Sequence, residues 1–302
     1  MGQQAVPGPG GHTAGRDGEA HARHEEPGAR LGRAVLPLAE GAAVAGVVLV
    51  LPTGEPVSTR GPSRLAALRM LPLARSLARA GAAEGLLVHP VRYGTRGWNG
   101  ADASLAADAE WAAREVVRRY GDVPVCLAGH GMGGRAALRA AGHQAVNSVL
   151  AMAPWLPESE RERGGDREPE AAGEPGGAGS ASGSGGTGGG TSQEPEPVRQ
   201  LVGRQVLIVH GTDDARTDPE LSYRLAERAK KANRDTCRFE VHSDGHALRQ
   251  HHAEVLALAS DFVLGALLSR AYSRPVADAL AAPPPLGLRM PLAAGFGRSL
   301  RH

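Results

Sequence analysis

Six short runs dominated by Val, Leu and Ala recur along the chain, at Gly46–Leu51, Leu86–Tyr93, Val123–Ala128, Val146–Ala151, Gln205–His210 and Thr236–His242. Each is nearly continuous in apolar residues, the pattern of strands covered on both faces. Segments of helical spacing separate them. Pro72 fits a helix start, with Leu73, Leu77 and Ala80 following until Gly81 stops it. Ala101–Tyr120 carries Leu105, Ala109, Ala112, Val116 and Tyr120 on one face and ends at Gly121. Arg135–Ala141, Pro219–Lys231 and Ala247–Leu268 complete the set. Repeated β–α units of this kind predict an α/β fold, a mostly parallel sheet with helices on both faces.

Outside that alternation the composition changes. Residues 1–30 are polar and rich in Gly, Pro and His, and are expected to be disordered. Residues 156–198 pass from a charged stretch into a Gly/Ser run, which reads as a disordered insertion in a domain spanning 31–270. Residues 271–302 are expected to form a loose C-terminal tail. Hydrophobic residues make up 41% of the chain, but aromatic ones only 3%, so the core must be built from aliphatic side chains.

The 34 basic and 32 acidic residues nearly cancel, which leaves no global case for nucleic-acid or anionic-membrane binding. Cys126 and Cys237 each sit inside an apolar run, as buried free thiols do. There is no apolar segment of signal-peptide type near the N-terminus, and no run approaches the roughly 20 residues that span a bilayer. The expectation is a cytoplasmic protein.

The stretch Val123–Arg135 reads as strand, Gly-rich turn and Ala-rich helix. Gly129, Gly131 and Gly134 satisfy the dinucleotide spacing G-x-G-x-x-G literally. That motif also needs a carboxylate at the tip of the next strand, and Ala151-Met-Ala-Pro-Trp155 offers none. No cofactor is therefore expected, and no metal. The other use of this layout is the nucleophile elbow G-x-S-x-G, with Gly129 and Gly133 flanking residue 131. Downstream, His210-Gly-Thr-Asp-Asp214 follows one strand and Ser243-Asp-Gly-His246 the next. This is the chain order nucleophile, acid, base, each at a strand's C-terminal end, where function collects in open α/β sheets. Asp213 is a second candidate acid, though the spacing favours Asp214. His242, His251 and His252 are weaker candidates for the base.

With Gly129-His-Gly-Met-Gly-Gly134, His210-Gly-Thr-Asp-Asp214 and Asp244-Gly-His246 in hand, the chain resembles the α/β-hydrolases, in particular bacterial esterase-like members whose elbow reads G-H-S-M-G-G. The resemblance implies a serine hydrolase acting on small ester-like substrates, with Asp214 as the acid and His246 as the general base. It implies an oxyanion hole from the Met132 amide and the Thr53-Gly54 turn, although Thr53 stands where a glycine is expected. Gly131 departs from the pattern at the nucleophile itself. Neither Cys126 nor Ser148 occupies the turn, and His130 has a counterpart in the family. Removing a triad nucleophile costs on the order of a millionfold in turnover, so the expectation is an impaired hydrolase that binds a small ester-like ligand. The alternative is an active hydrolase using water activated by His246 and Asp214. Glycine adopts the strained elbow conformation without penalty, so the fold should tolerate the change.

Overall fold

A computed structural model describes residues 2, 28–38, 40–158 and 195–298. The Gly/Ser-rich stretch and most of the N-terminal segment expected to be disordered lie outside the described residues. The elements run β1 (Arg30–Leu31), β2 (Gly46–Leu51), α1 (Arg64–Arg69), α2 (Leu71–Gly81), β3 (Leu86–Arg92), α3 (Ser104–Tyr120), β4 (Val125–His130), α4 (Met132–Arg139) and β5 (Val146–Met152). After the segment outside the description come β6 (Gln205–Gly211), α5 (Pro219–Ala232), β7 (Thr236–Val241), α6 (His252–Leu268), α7 (Arg274–Ala281) and β8 (Met290–Pro291).

The eight strands form one sheet in the order β1-β3-β2-β4-β5-β6-β7-β8. Only the β1–β3 pair is antiparallel. Side chains alternate as expected of doubly covered strands. Val47, Leu49 and Leu51 of β2 join a core with α3, α4 and α5, while Val48 and Val50 join a second core with α2, α6 and α7. Alanines dominate the inner face of α3, and their small size lets that helix lie close on the sheet.

Strand order fixes where a site can form. From β2 the chain goes to β3 on one side, then returns to β4 on the other. Loops leaving the C-terminal ends of β2 and β4 therefore part in opposite directions and leave a crevice between them. Thr53 and Gly54 lie after β2, and Gly131 lies after β4.

Three expectations about chain organisation need correction. Residues 271–298 are not loose: Val276 and Ala279 are fully buried, and Lys230 Nζ donates to the carbonyls of Ala279 (3.1 Å) and Leu280 (2.9 Å). Residues 28–30 are described, and Arg30 already pairs with Arg92 as an edge strand. The flanks of the insertion are also tied down. Leu156 packs into the core, and buried Glu196 forms ion pairs with Arg135 (2.6 Å) and Arg139 (2.6 Å) of α4. Two helical boundaries differ as well. Helix α6 begins at His252 rather than Ala247, because the Asp244 carboxylate ties residues 249–251 into a turn. The segment 64–69 is helical where none was expected, with Ser63 Oγ accepting from the Ala66 amide as its cap.

Among the described residues, no helix is long and apolar enough to cross a membrane. Cys126 and Cys237 are free and buried, as expected, and burial pushes both thiols up to about 12.

Candidate active site

The turn from β4 into α4 is sharp. Gly131 has φ 58° and ψ −122°, a conformation costing about 1–3 kcal/mol for a residue with a β-carbon. Backbone contacts hold it from both sides: its amide donates to the Met152 carbonyl (3.0 Å), and its carbonyl accepts from the Trp155 amide (3.1 Å). Gly133 must lack a side chain, since a β-carbon there would strike the carbonyl oxygens of Leu51 and Pro52. The turn thus packs directly on the end of β2.

A β-carbon built on residue 131 would lie 3.5 Å from His246 Nε2. His246 Nδ1 in turn meets Asp214 Oδ2 at 2.8 Å. The three positions read from the sequence therefore converge on one point above the sheet, in the order that a nucleophile, base and orienting acid require.

Asp214 is buried and heavily hydrogen-bonded. Its Oδ1 accepts from the amides of Arg216 (2.8 Å) and Thr217 (3.0 Å). Its Oδ2 accepts from Thr217 Oγ1 (2.6 Å), from His246 and from His210 Nε2 (3.1 Å). Burial is the largest single influence and favours the neutral acid. The bonds from His210, Thr217 and His246 outweigh it together and hold the carboxyl well below the usual carboxylate range. Asp213 is exposed, and its Oδ1 accepts from Thr212 Oγ1 at 3.0 Å, outside this arrangement. His242 is likewise exposed, and His251 caps α6.

Two residues of this network escaped the sequence reading. Thr217 touches both Asp214 and His246, its Oγ1 lying 3.2 Å from His246 Nδ1. A hydroxyl three residues after an Asp in a turn is the pattern that marks it. His210 is fully buried at the end of β6, with Nδ1 2.8 Å from Ser222 Oγ and burial lowering its pKa. Its position within an apolar strand hid it.

His130 lies beside His246. Its Nε2 donates to the His246 carbonyl (2.7 Å), and the two rings meet edge to face at 4.7 Å. Burial, then the His246 charge, lowers its pKa to about 4. It is therefore a neutral strut under the His246 backbone.

The expected oxyanion positions are only partly as anticipated. The Met132 amide faces the site, but it donates to Thr53 Oγ1 at 3.4 Å. That hydroxyl lies 2.6 Å from where a β-carbon on residue 131 would be. Thr53 therefore puts a side chain into the space that the sequence reading assigned to backbone donors. Gly54 borders the same cavity, which measures about 880 Å³ and is lined by Met70, Leu73, Val255 and Leu256 beside His246. Among the described residues, no cluster of metal-ligating side chains occurs.

No family model matches the sequence, and no curated protein matches it. Solved structures do. A Pyrococcus furiosus esterase is 15% identical, aligning over 74% of this chain and 83% of its own with a TM-score of 0.50. An α/β serine hydrolase without lid from Xanthomonas campestris is 18% identical over 80% of this chain and 90% of its own, with a TM-score of 0.46. Est1E from Butyrivibrio proteoclasticus, in a ferulic-acid-bound structure, is 13% identical over 80% and 95%, with a TM-score of 0.49. The parallel sheet and its flanking helices are those of the α/β-hydrolase fold.

Proposed function

We propose that this chain is a relative of serine esterases that retains the acid–base pair Asp214–His246 and binds a small ester-like ligand, with acyl transfer lost at residue 131. One observation carries the reading: residue 131 directs its missing side chain toward His246 Nε2, 3.5 Å from the β-carbon position, yet it is glycine. A serine hydroxyl there would come within reach of an imidazole already oriented by a carboxylate. Without it no acyl-enzyme forms. The aligned remainder supports only binding and weak electrostatic assistance, about 10³–10⁴ over water in the comparable case of triad removal.

The alternative, water activated by His246 and Asp214, needs room for that water next to His246 Nε2. Thr53 Oγ1, 2.6 Å from the missing β-carbon, takes up part of the room at residue 131 and works against it.

The reading is tested by comparing the wild-type chain with Gly131→Ser and with Gly131→Ser/Thr53→Gly against aryl esters of short acyl chains. The expected result is negligible wild-type turnover, with hydrolysis and labelling by a serine-reactive phosphonate both appearing in the double variant. Ordinary esterase rates in the wild-type protein, lost in His246→Ala, would instead support the activated-water alternative.

A further inference from the structure

We infer that the ligand of this cavity is an organic anion with an apolar chain, such as a medium-chain carboxylate, its head held by Arg69, Arg216 and Arg249. This rests on the reading above that the cavity binds a small ligand, and puts a carboxylate in place of the ester-like group named there.

Arg69, Arg216 and Arg249 are among the residues that line the cavity, and no Asp or Glu is. Asp214 lies behind His246, buried and engaged with its own partners. Among the described residues, none of the three arginines forms an ion pair or a side-chain hydrogen bond. A cleft lined by positive residues with no acidic one among them presents a field that attracts anions.

The arginines come from separate elements. Arg69 ends α1, Arg216 follows β6, and Arg249 follows β7. The last two are fixed at the backbone, since the Arg216 amide donates to Asp214 Oδ1 (2.8 Å) and the Arg249 amide to Asp244 Oδ1 (3.0 Å). Their loops are thus held by the same carboxylates that shape the site.

The lining is charged where it is exposed and apolar where it is buried. The three arginines are exposed, while Met70, Leu73 and Val255 on the same cavity are 7%, 4% and 2% exposed. A ligand that matches this lining has a charged head for the exposed part and a hydrocarbon body for the buried part. Guanidinium forks suit a carboxylate head in particular, because they can donate two parallel hydrogen bonds to it.

Calorimetric titration of the full-length protein with octanoate and with 1-octanol tests the assignment, since the two probes share a chain and differ in the head. Octanoate should bind about tenfold more tightly than octanol at low ionic strength, and 0.5 M salt should erase most of the difference. Arg216→Gln/Arg249→Gln should weaken octanoate by about fivefold or more and leave octanol unchanged. Both side chains are exposed, so the variant should fold, which circular dichroism checks. Equal affinity for the two probes, or an octanoate affinity indifferent to the double substitution, would overturn the anion assignment while leaving ligand binding intact. Binding of neither probe would remove both.

Discussion

Thr53 Oγ1 stands 2.6 Å from the point where a β-carbon on residue 131 would sit, so these two positions cannot both carry their side chains as placed. Glycine at 131 and threonine at 53 are mutually compatible, while serine at 131 requires Thr53 to turn away. Turning costs Thr53 its contact with the Met132 amide. Gly131→Ser alone should therefore show little gain. Gly131→Ser/Thr53→Gly should exceed wild type by about 10³-fold in aryl-ester turnover, part of the millionfold that a triad nucleophile is worth. A double variant that is folded but silent would show that the geometry at 131 is not that of a nucleophile.

Asp214 is the acceptor that buried His210 and Thr217 share with His246. In Asp214→Asn an amide N–H would face donors that now meet a carboxylate oxygen. The expected loss is about 2–4 kcal/mol of unfolding free energy, because buried groups are left unpaired. Urea unfolding measures it. A loss below about 0.5 kcal/mol would mean that the network is not maintained in solution.

His130 makes stability depend on pH in a definite direction. Burial, and then His246, lowers its pKa from 6.5 to about 4 in the native state. The unfolded chain takes up this proton near pH 6.5 and the native one only near 4. The contribution is therefore complete above pH 6.5 and is lost as pH falls through that window, by about 3 kcal/mol at most. Asp108, pushed up to about 6 by burial, acts with the opposite sign, stabilising as pH falls below 6. The quantity to measure is thus the difference between wild type and His130→Gln across pH 4–7. It should slope with pH, and a flat difference would contradict the assignment.

Glu196 is buried between Arg135 and Arg139, and Arg135 also stacks 3.9 Å from the Trp98 ring centroid. Removing the carboxylate strands a buried guanidinium on the helix that begins at the elbow. Glu196→Ala should cost about 3–5 kcal/mol, whereas Asp278→Ala, which breaks an exposed pair with Arg274, should change stability by less than about 0.5 kcal/mol. Similar effects for the two in thermal unfolding would refute the contrast.

Leu288 is fully buried in the segment after α7. Leu288→Ala should destabilise by about 2–5 kcal/mol if this segment packs as described. A tail that frays in solution would register almost no change in the same unfolding experiment.

The strands and the three converging positions were legible because their signals are local. β-rich runs mark β2 to β7, and Gly131, Asp214 and His246 each follow a strand at a spacing visible in the sequence. What escaped depends on tertiary contact. Val276 and Ala279 look like scattered apolar residues until Lys230 supplies donors to the carbonyls at the end of their helix. His210 belongs to a strand by pattern, and only the fold turns its ring toward Asp214. Thr53 was read as an imperfect glycine, because nothing local says that its hydroxyl reaches across to the residue-131 turn.

The ends of the sheet bear on how this chain avoids sticking to itself. Each outermost strand, β1 and β8, is two residues long, and β8 finishes in Pro291, which has no amide hydrogen to offer a neighbour. Long, flat strand edges invite copies of a protein to add on as further strands. Here the two ends give a newcomer almost no ladder to extend. Trimming the chain after Leu268 would remove β8 and leave the outer edge of β7 uncovered.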